Sequence, residues 1–172
     1  MFAAVSDTAY DIVLVLHILC AIIGFGAVML NGIYGQQVKA RQGREGLAIF
    51  QANKLVSSIG EYFIYAVFLF GIVLVLLSDD AWDFGQTWVW LSIVIYLIAI
   101  SVSRGLLFPR VNRMEALMTE LASGPAPAGT GGPPPQVAQL EVLGKQLGII
   151  SSILHLALVL IIILMVTKPG LG

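Results

Sequence analysis

Four long apolar stretches set the pattern of this chain, over residues 10–34, 57–77, 87–108 and 146–167. Each is close to the ~20 residues an α-helix needs to cross a bilayer. No Asp, Glu, Lys or Arg lies between Asp11 and Lys39, between Glu61 and Asp79, between Asp83 and Arg104, or between Lys145 and Lys168. The runs are apolar on all sides and do not alternate with period two, which favours helices over barrel strands. The predicted fold class is all-α, a polytopic membrane protein built as a four-transmembrane-helix bundle, with residues 1–172 forming one domain.

The connections carry weaker patterns. Residues 41–58 read as a short helix at the membrane surface, with Leu47, Phe50, Leu55 and Val56 as its apolar positions. Beyond Pro109, the positions Val111, Met114, Leu117, Met118 and Leu121 keep helical spacing, so helix three is expected to resume after a proline break. Residues 123–135 (SGPAPAGTGGPPP) form a Pro/Gly linker expected to be flexible, and residues 137–146 lead back into the fourth helix.

Composition agrees with the pattern. The chain is 58% hydrophobic and 11% charged, whereas soluble domains carry about 25% charged residues. Such a surface suits lipid, and the bilayer is the first expected partner; nothing points to nucleic acid. The single cysteine, Cys20, excludes a disulfide within the chain and any Cys-based metal motif. Residues 1–10 hold no Lys or Arg, and the apolar run after them exceeds a signal-peptide core, so it is expected to be a retained helix.

Charge adds an orientation. Lys39, Arg41, Arg44 and Lys54 flank one side of the first two stretches, and Arg104, Arg110, Arg113 and Lys145 lie on the same side of the last two. Only Lys168 lies on the other side, with Asp79, Asp80 and Asp83. The positive-inside rule then expects two cytoplasmic loops and both termini outside. Trp82, Trp88 and Trp90 gather at the outer end of helix three, as interfacial aromatics do.

Polar groups inside the apolar runs are the candidate chemistry. His17, Gly24, Asn31 and Gly35 follow three-and-four spacing, with Cys20 or Ala21 and Ala27 or Val28 between them, and form a small, polar face of helix one. Leu14, Ile18, Ile22, Phe25 and Met29 form the opposite, lipid-suited face. On helix four, Gly144, Gly148, Ser151 or Ser152, and His155 share a face, while Ile150, Leu154, Leu158, Ile161 and Met165 are apolar. Gly24, Asn31 and Gly148 are the expected helix-packing positions. The sharper reading of His17 and His155 is ligation of haem iron or copper; the plainer one is a neutral ring bonded to a hydroxyl or carbonyl. Glu61 and Arg104 each sit about one turn inside the basic side, at matching depth. They are expected either to pair or to snorkel separately, near Asn31, Tyr62 and Tyr65, where the group could relay protons or hold an anionic headgroup or propionate.

Leu16–His17–Ile18 followed by Gly24–Phe25–Gly26, four helices in all, and the ending Met165–Val166–Thr167–Lys168–Pro169 resemble a group of small uncharacterised bacterial integral-membrane proteins. That group is similar to the CopD copper-resistance membrane domain and the HemJ protoporphyrinogen oxidases. The resemblance implies a bundle of four or five helices in the bacterial inner membrane, and a helix-one histidine matching His17. It implies haem b in HemJ-type relatives and copper handling in CopD-type ones. The chain departs from them by having Gly24 and Phe25 where a tryptophan often precedes the glycine pair, and Arg104 as the one cation near helix three. The leading expectation is a haem b or copper protein acting through His17, with His155, in redox chemistry or metal handling. The alternatives are a non-enzymatic membrane subunit working through helix contacts, as a homo-oligomer or with a membrane partner protein, and a small-solute transporter around Glu61 and Arg104.

Overall fold

A computed structural model describes residues 8–41, 43–124 and 135–170. The helices are α1 (Thr8–Met29), α2 (Asn31–Ala40), α3 (Gly43–Leu76), α4 (Thr87–Val102), a π-helical turn over Ser103–Leu107, α5 (Phe108–Ser123) and α6 (Pro135–Thr167). No strand occurs among the described residues. Four helical stretches are long and apolar enough to cross a membrane: Thr8–Ala40, Gly43–Leu76, Thr87–Ser123 and Pro135–Thr167. They are termed spans one to four.

All four outrun the bilayer. A helix of the 34 residues in span two is about 51 Å long, against a hydrocarbon core of about 30 Å. The excess lies on the basic side. The expected surface helix over residues 41–58 is therefore not separate; it is the first half of α3, continuous with the membrane part. Ala48, Asn53 and Lys54 are compatible with an unbroken helix, and nothing between Gly43 and Leu76 interrupts the hydrogen-bond ladder. The expected break at Pro109 is also absent. Proline removes the N–H that the Gly105 carbonyl would receive. The helix absorbs this with one wider turn, in which the Phe108 N–H bonds the Ser103 carbonyl. The axis then runs on to Ser123. The linker expected over residues 123–135 lies mostly outside the described residues.

The bundle is two helix pairs. Span one lies closely along α3, and α4 lies along α6. The pairs meet on the basic side through α3 with α5 and α5 with α6, around the buried Leu117. Lys54 Nζ and Glu115 Oε2 lie 2.5 Å apart there, and Gln51 Nε2 donates to Glu115 Oε1. Inside the membrane the two pairs are bridged mainly by long side chains. Phe68 and Tyr96 stack with centroids 4.4 Å apart, and the Tyr96 hydroxyl donates to the Ile64 carbonyl at 3.2 Å.

The crossing of spans one and two depends on missing side chains. A Cβ built on Gly60 would lie 2.6 Å from the Ala27 Cβ, and one on Gly24 would meet the Ile64 backbone nitrogen at 3.1 Å. Small residues let the two backbones touch, so van der Waals contact and not hydrophobic exclusion holds them in lipid.

Candidate functional site

The polar side chains within the spans gather along the contacts between helices. On span one, the face of His17, Cys20, Gly24 and Asn31 turns toward span two, with Cys20 and Gly24 buried. Asn31 Oδ1 accepts from Ser57 Oγ at 2.8 Å. His17 lies against Gly71, where a Cβ would come within 3.2 Å of its Cε1. The Val67 backbone carbonyl faces the ring, and Nδ1 is buried with no partner. Asn31 therefore belongs to this crossing, and its partner Ser57 lies one helical turn before Glu61 on span two.

Helix four keeps only part of its expected small face inward: Gly144, Ser151 and His155 are half-buried. Gly148 and Ser152 are exposed, and a Cβ on Gly148 would meet open space. Ile150 is buried, and Leu154, Leu158, Ile161 and Met165 are half-buried. Gly148 thus makes no helix-packing contact within the chain. The physical reason is that lipid is as apolar as leucine, so an apolar face gives no preference for the bundle interior over the bilayer. His155 does face inward: its Nε2 lies 3.0 Å from the Val28 carbonyl, joining spans four and one. Val28 is 11 residues beyond His17, a rise of about 16 Å along the helix. The two histidines do not share a site.

Glu61 and Arg104 do come together. Arg104 Nε lies 3.0 Å from Glu61 Oε1 and donates to the Tyr65 hydroxyl at 2.9 Å. That hydroxyl donates in turn to Glu61 Oε1 at 2.6 Å. The three groups form a closed triangle in which every contact joins complementary charges or dipoles. The guanidinium also lies 5.4 Å from the centroid of the Phe108 ring and 5.9 Å from that of Tyr65, within cation–π range. Half of the Arg104 side chain is exposed, against 23% for Glu61. Its Nη1 and Nη2 have no protein partner among the described residues. Arg104 sits in the π-helical turn, a feature often found at functional sites. Tyr62, expected nearby, makes no hydrogen bond in the triangle and is 72% exposed, but it lies within electrostatic reach of Arg104.

The opposite end holds a second cluster. Lys168 Nζ lies 3.7 Å from the Trp82 ring centroid and 5.4 Å from that of Trp88. The two indoles meet edge to face at 5.4 Å. Trp82 Nε1 donates to the Tyr10 hydroxyl at 3.0 Å, and the fully buried Ser78 hydroxyl pins the turn by accepting from the Trp82 N–H at 3.0 Å and donating its one hydrogen to the Val75 carbonyl at 2.8 Å. Burial pushes the Lys168 ammonium down from its ordinary value, while the ring faces favour its charged form. Sequence reading found the interfacial tryptophans but not their lysine. The residue that ends span four and the turn between spans two and three are distant in sequence, and no local spacing links them.

From the Trp88 level to Arg104 is 16 residues, about 24 Å of helix, so the two clusters lie toward opposite ends of the apolar part of the third span. This defines the class: a four-span helical membrane protein with an aromatic edge and a polar, arginine-bearing edge. The profile of the family described as "Predicted integral membrane protein (DUF2269)" matches residues 11–169, and the chain belongs to that family. No curated protein and no solved structure matches it.

The donor set bears on the metal expectation. No group of three or more His, Cys, Asp or Glu able to hold a metal ion occurs among the described residues. A copper site built from His17 and His155 together does not fit, because His155 meets the Val28 carbonyl and lies far along the bundle from His17. Haem held between the two rings does not fit for the same reason. His17 alone keeps an unpartnered nitrogen.

Proposed function

We propose that this protein is a non-enzymatic subunit of the bacterial inner membrane, both termini outside, that holds an anionic group at Arg104 on the cytoplasmic edge. The observation carrying this reading is the half-exposed guanidinium, fixed through Nε by Glu61 and Tyr65 while Nη1 and Nη2 stay unpaired. A fork held at one corner and open on its other face is preorganised for a carboxylate or phosphate. Support for the orientation comes from the Lys and Arg residues concentrated on that side. Dodecyl phosphate added to the protein in dodecyl maltoside should raise its Tm in a saturable way. Arg104→Gln should weaken the apparent affinity about tenfold, the scale of a charge-assisted hydrogen bond. Equal shifts in the two proteins would overturn the reading.

A second reading rests on His17. Its buried, unpartnered Nδ1 is an orphan of the kind that calls for a ligand, and His17 would be the residue to hold haem b, whose iron would bring one-electron redox chemistry. Protein expressed with haem supplied should then show a Soret band that shifts with dithionite, and His17→Ala should abolish it. A colourless wild-type protein removes this reading.

A further inference from the structure

Beside Arg104 one face of the third span carries a shallow, open apolar groove of about 410 Å³, lined by Leu97, Ile98, Ser101, Val102, Gly105 and Leu106 and, among the described residues, with no wall from a second helix. Gly105 and Leu106 belong to the same π-helical turn as Arg104. From there the lining runs back toward the aromatic edge for nine residues, Leu106 to Leu97, about 14 Å of bilayer depth. The groove exists because two of its positions are small: Ser101 folds its hydroxyl back onto the Leu97 carbonyl at 2.8 Å, and a Cβ on Gly105 would meet nothing within 4 Å.

We infer that the anionic group at Arg104 is the phosphate of a membrane phospholipid, with one acyl chain lying in this groove. The inference rests on the Arg104 reading above and adds the identity of the ligand. Charge and shape each contribute. The unpaired Nη groups suit a phosphate monoanion at the level where headgroups lie. The groove below is apolar apart from one hydroxyl that is already bonded to backbone. A free phosphate would use the first feature and ignore the second. A net-anionic lipid such as phosphatidylglycerol should outcompete zwitterionic phosphatidylcholine, because a ligand ammonium held close to the guanidinium would offset part of the gain from the phosphate.

Native mass spectrometry of the full-length protein, released from mild detergent with phosphatidylglycerol, phosphatidylcholine or glycerol 3-phosphate added, tests this. The wild type should retain one phosphatidylglycerol at least tenfold more tightly than phosphatidylcholine, and should show no comparable adduct with glycerol 3-phosphate. Arg104→Gln should bring the two lipids within about twofold of each other. Gly105→Leu, which enters open space and should leave the Tm unchanged, should weaken both lipids severalfold. Ser101→Leu gives the same readout should Gly105→Leu fail to fold. Loss with Arg104→Gln but none with either groove variant would overturn the acyl-chain assignment and leave the anion reading standing. An unchanged preference in Arg104→Gln would overturn both. A glycerol 3-phosphate adduct as tight as the lipid would make the ligand a soluble phosphate, and a dimer in place of the lipid adduct would assign the groove to a second copy.

Discussion

Gly60→Leu should destabilise the protein by about 3 kcal/mol or more, the upper range for overpacking a fitted contact. Even a single Cβ at this position would lie 2.6 Å from the Ala27 Cβ, and both atoms are fixed to helix backbone. Neither can rotate away, so spans one and two must separate. Separation would also pull Ser57 from Asn31 and open the contact between Gly71 and His17. The measurement is unfolding in dodecyl maltoside titrated with sodium dodecyl sulfate, followed by circular dichroism. Gly148→Leu serves as the control. It adds the same side chain to a helix of similar length, but into open space, and should change stability by less than ~1 kcal/mol.

Trp82→Ala should be the next most damaging change, at about 3 kcal/mol, the low end for tryptophan truncation because the ring is only half-buried. One indole makes three contacts between distant segments. It donates to Tyr10 on span one, meets Trp88 on span three and takes Lys168 at the end of span four. Removing it frees four chain segments at the aromatic edge while leaving the basic edge intact. Hydrogen exchange should therefore rise around residues 78–88 and 165–170 and stay unchanged around residues 104–123. Uniform loss of protection along the bundle would show that the cluster is not a local tie.

The four spans were legible because a bilayer leaves few options. A backbone in hydrocarbon must satisfy its own hydrogen bonds, so ~20 uncharged apolar residues can only be a helix. The inward face of helix one was legible for a related reason: His17, Cys20, Gly24 and Asn31 are too small or too polar to prefer lipid. On helix four His155 does face inward, but Gly148 and Ser152 offered the same signal without a partner inside the chain. A glycine permits close approach but does not cause it. Gly60 went unnoticed on span two for the complementary reason, since its role appears only when Ala27 is opposite. The continuity through Pro109 was also hidden. Proline forbids one hydrogen bond, and the sequence does not say whether the chain answers with a break or a wider turn. Matching depth brought Glu61 and Arg104 forward as a candidate pair, but the Tyr65 hydroxyl that closes their triangle depended on side-chain direction.

That triangle is the centre of the account, and its most direct test is the affinity of Glu61→Gln for dodecyl phosphate beside that of the wild type and Arg104→Gln. Glu61 competes with any anionic ligand for the same guanidinium, through a contact of 3.0 Å. Neutralising it leaves Tyr65 to position the arginine and releases the full charge to the ligand. The account predicts that Glu61→Gln binds severalfold more tightly than the wild type, while Arg104→Gln binds about tenfold more weakly. A loss of affinity in Glu61→Gln equal to that in Arg104→Gln would mean that the pair only holds spans two and three together, and would contradict the assignment of Arg104 as an anion site.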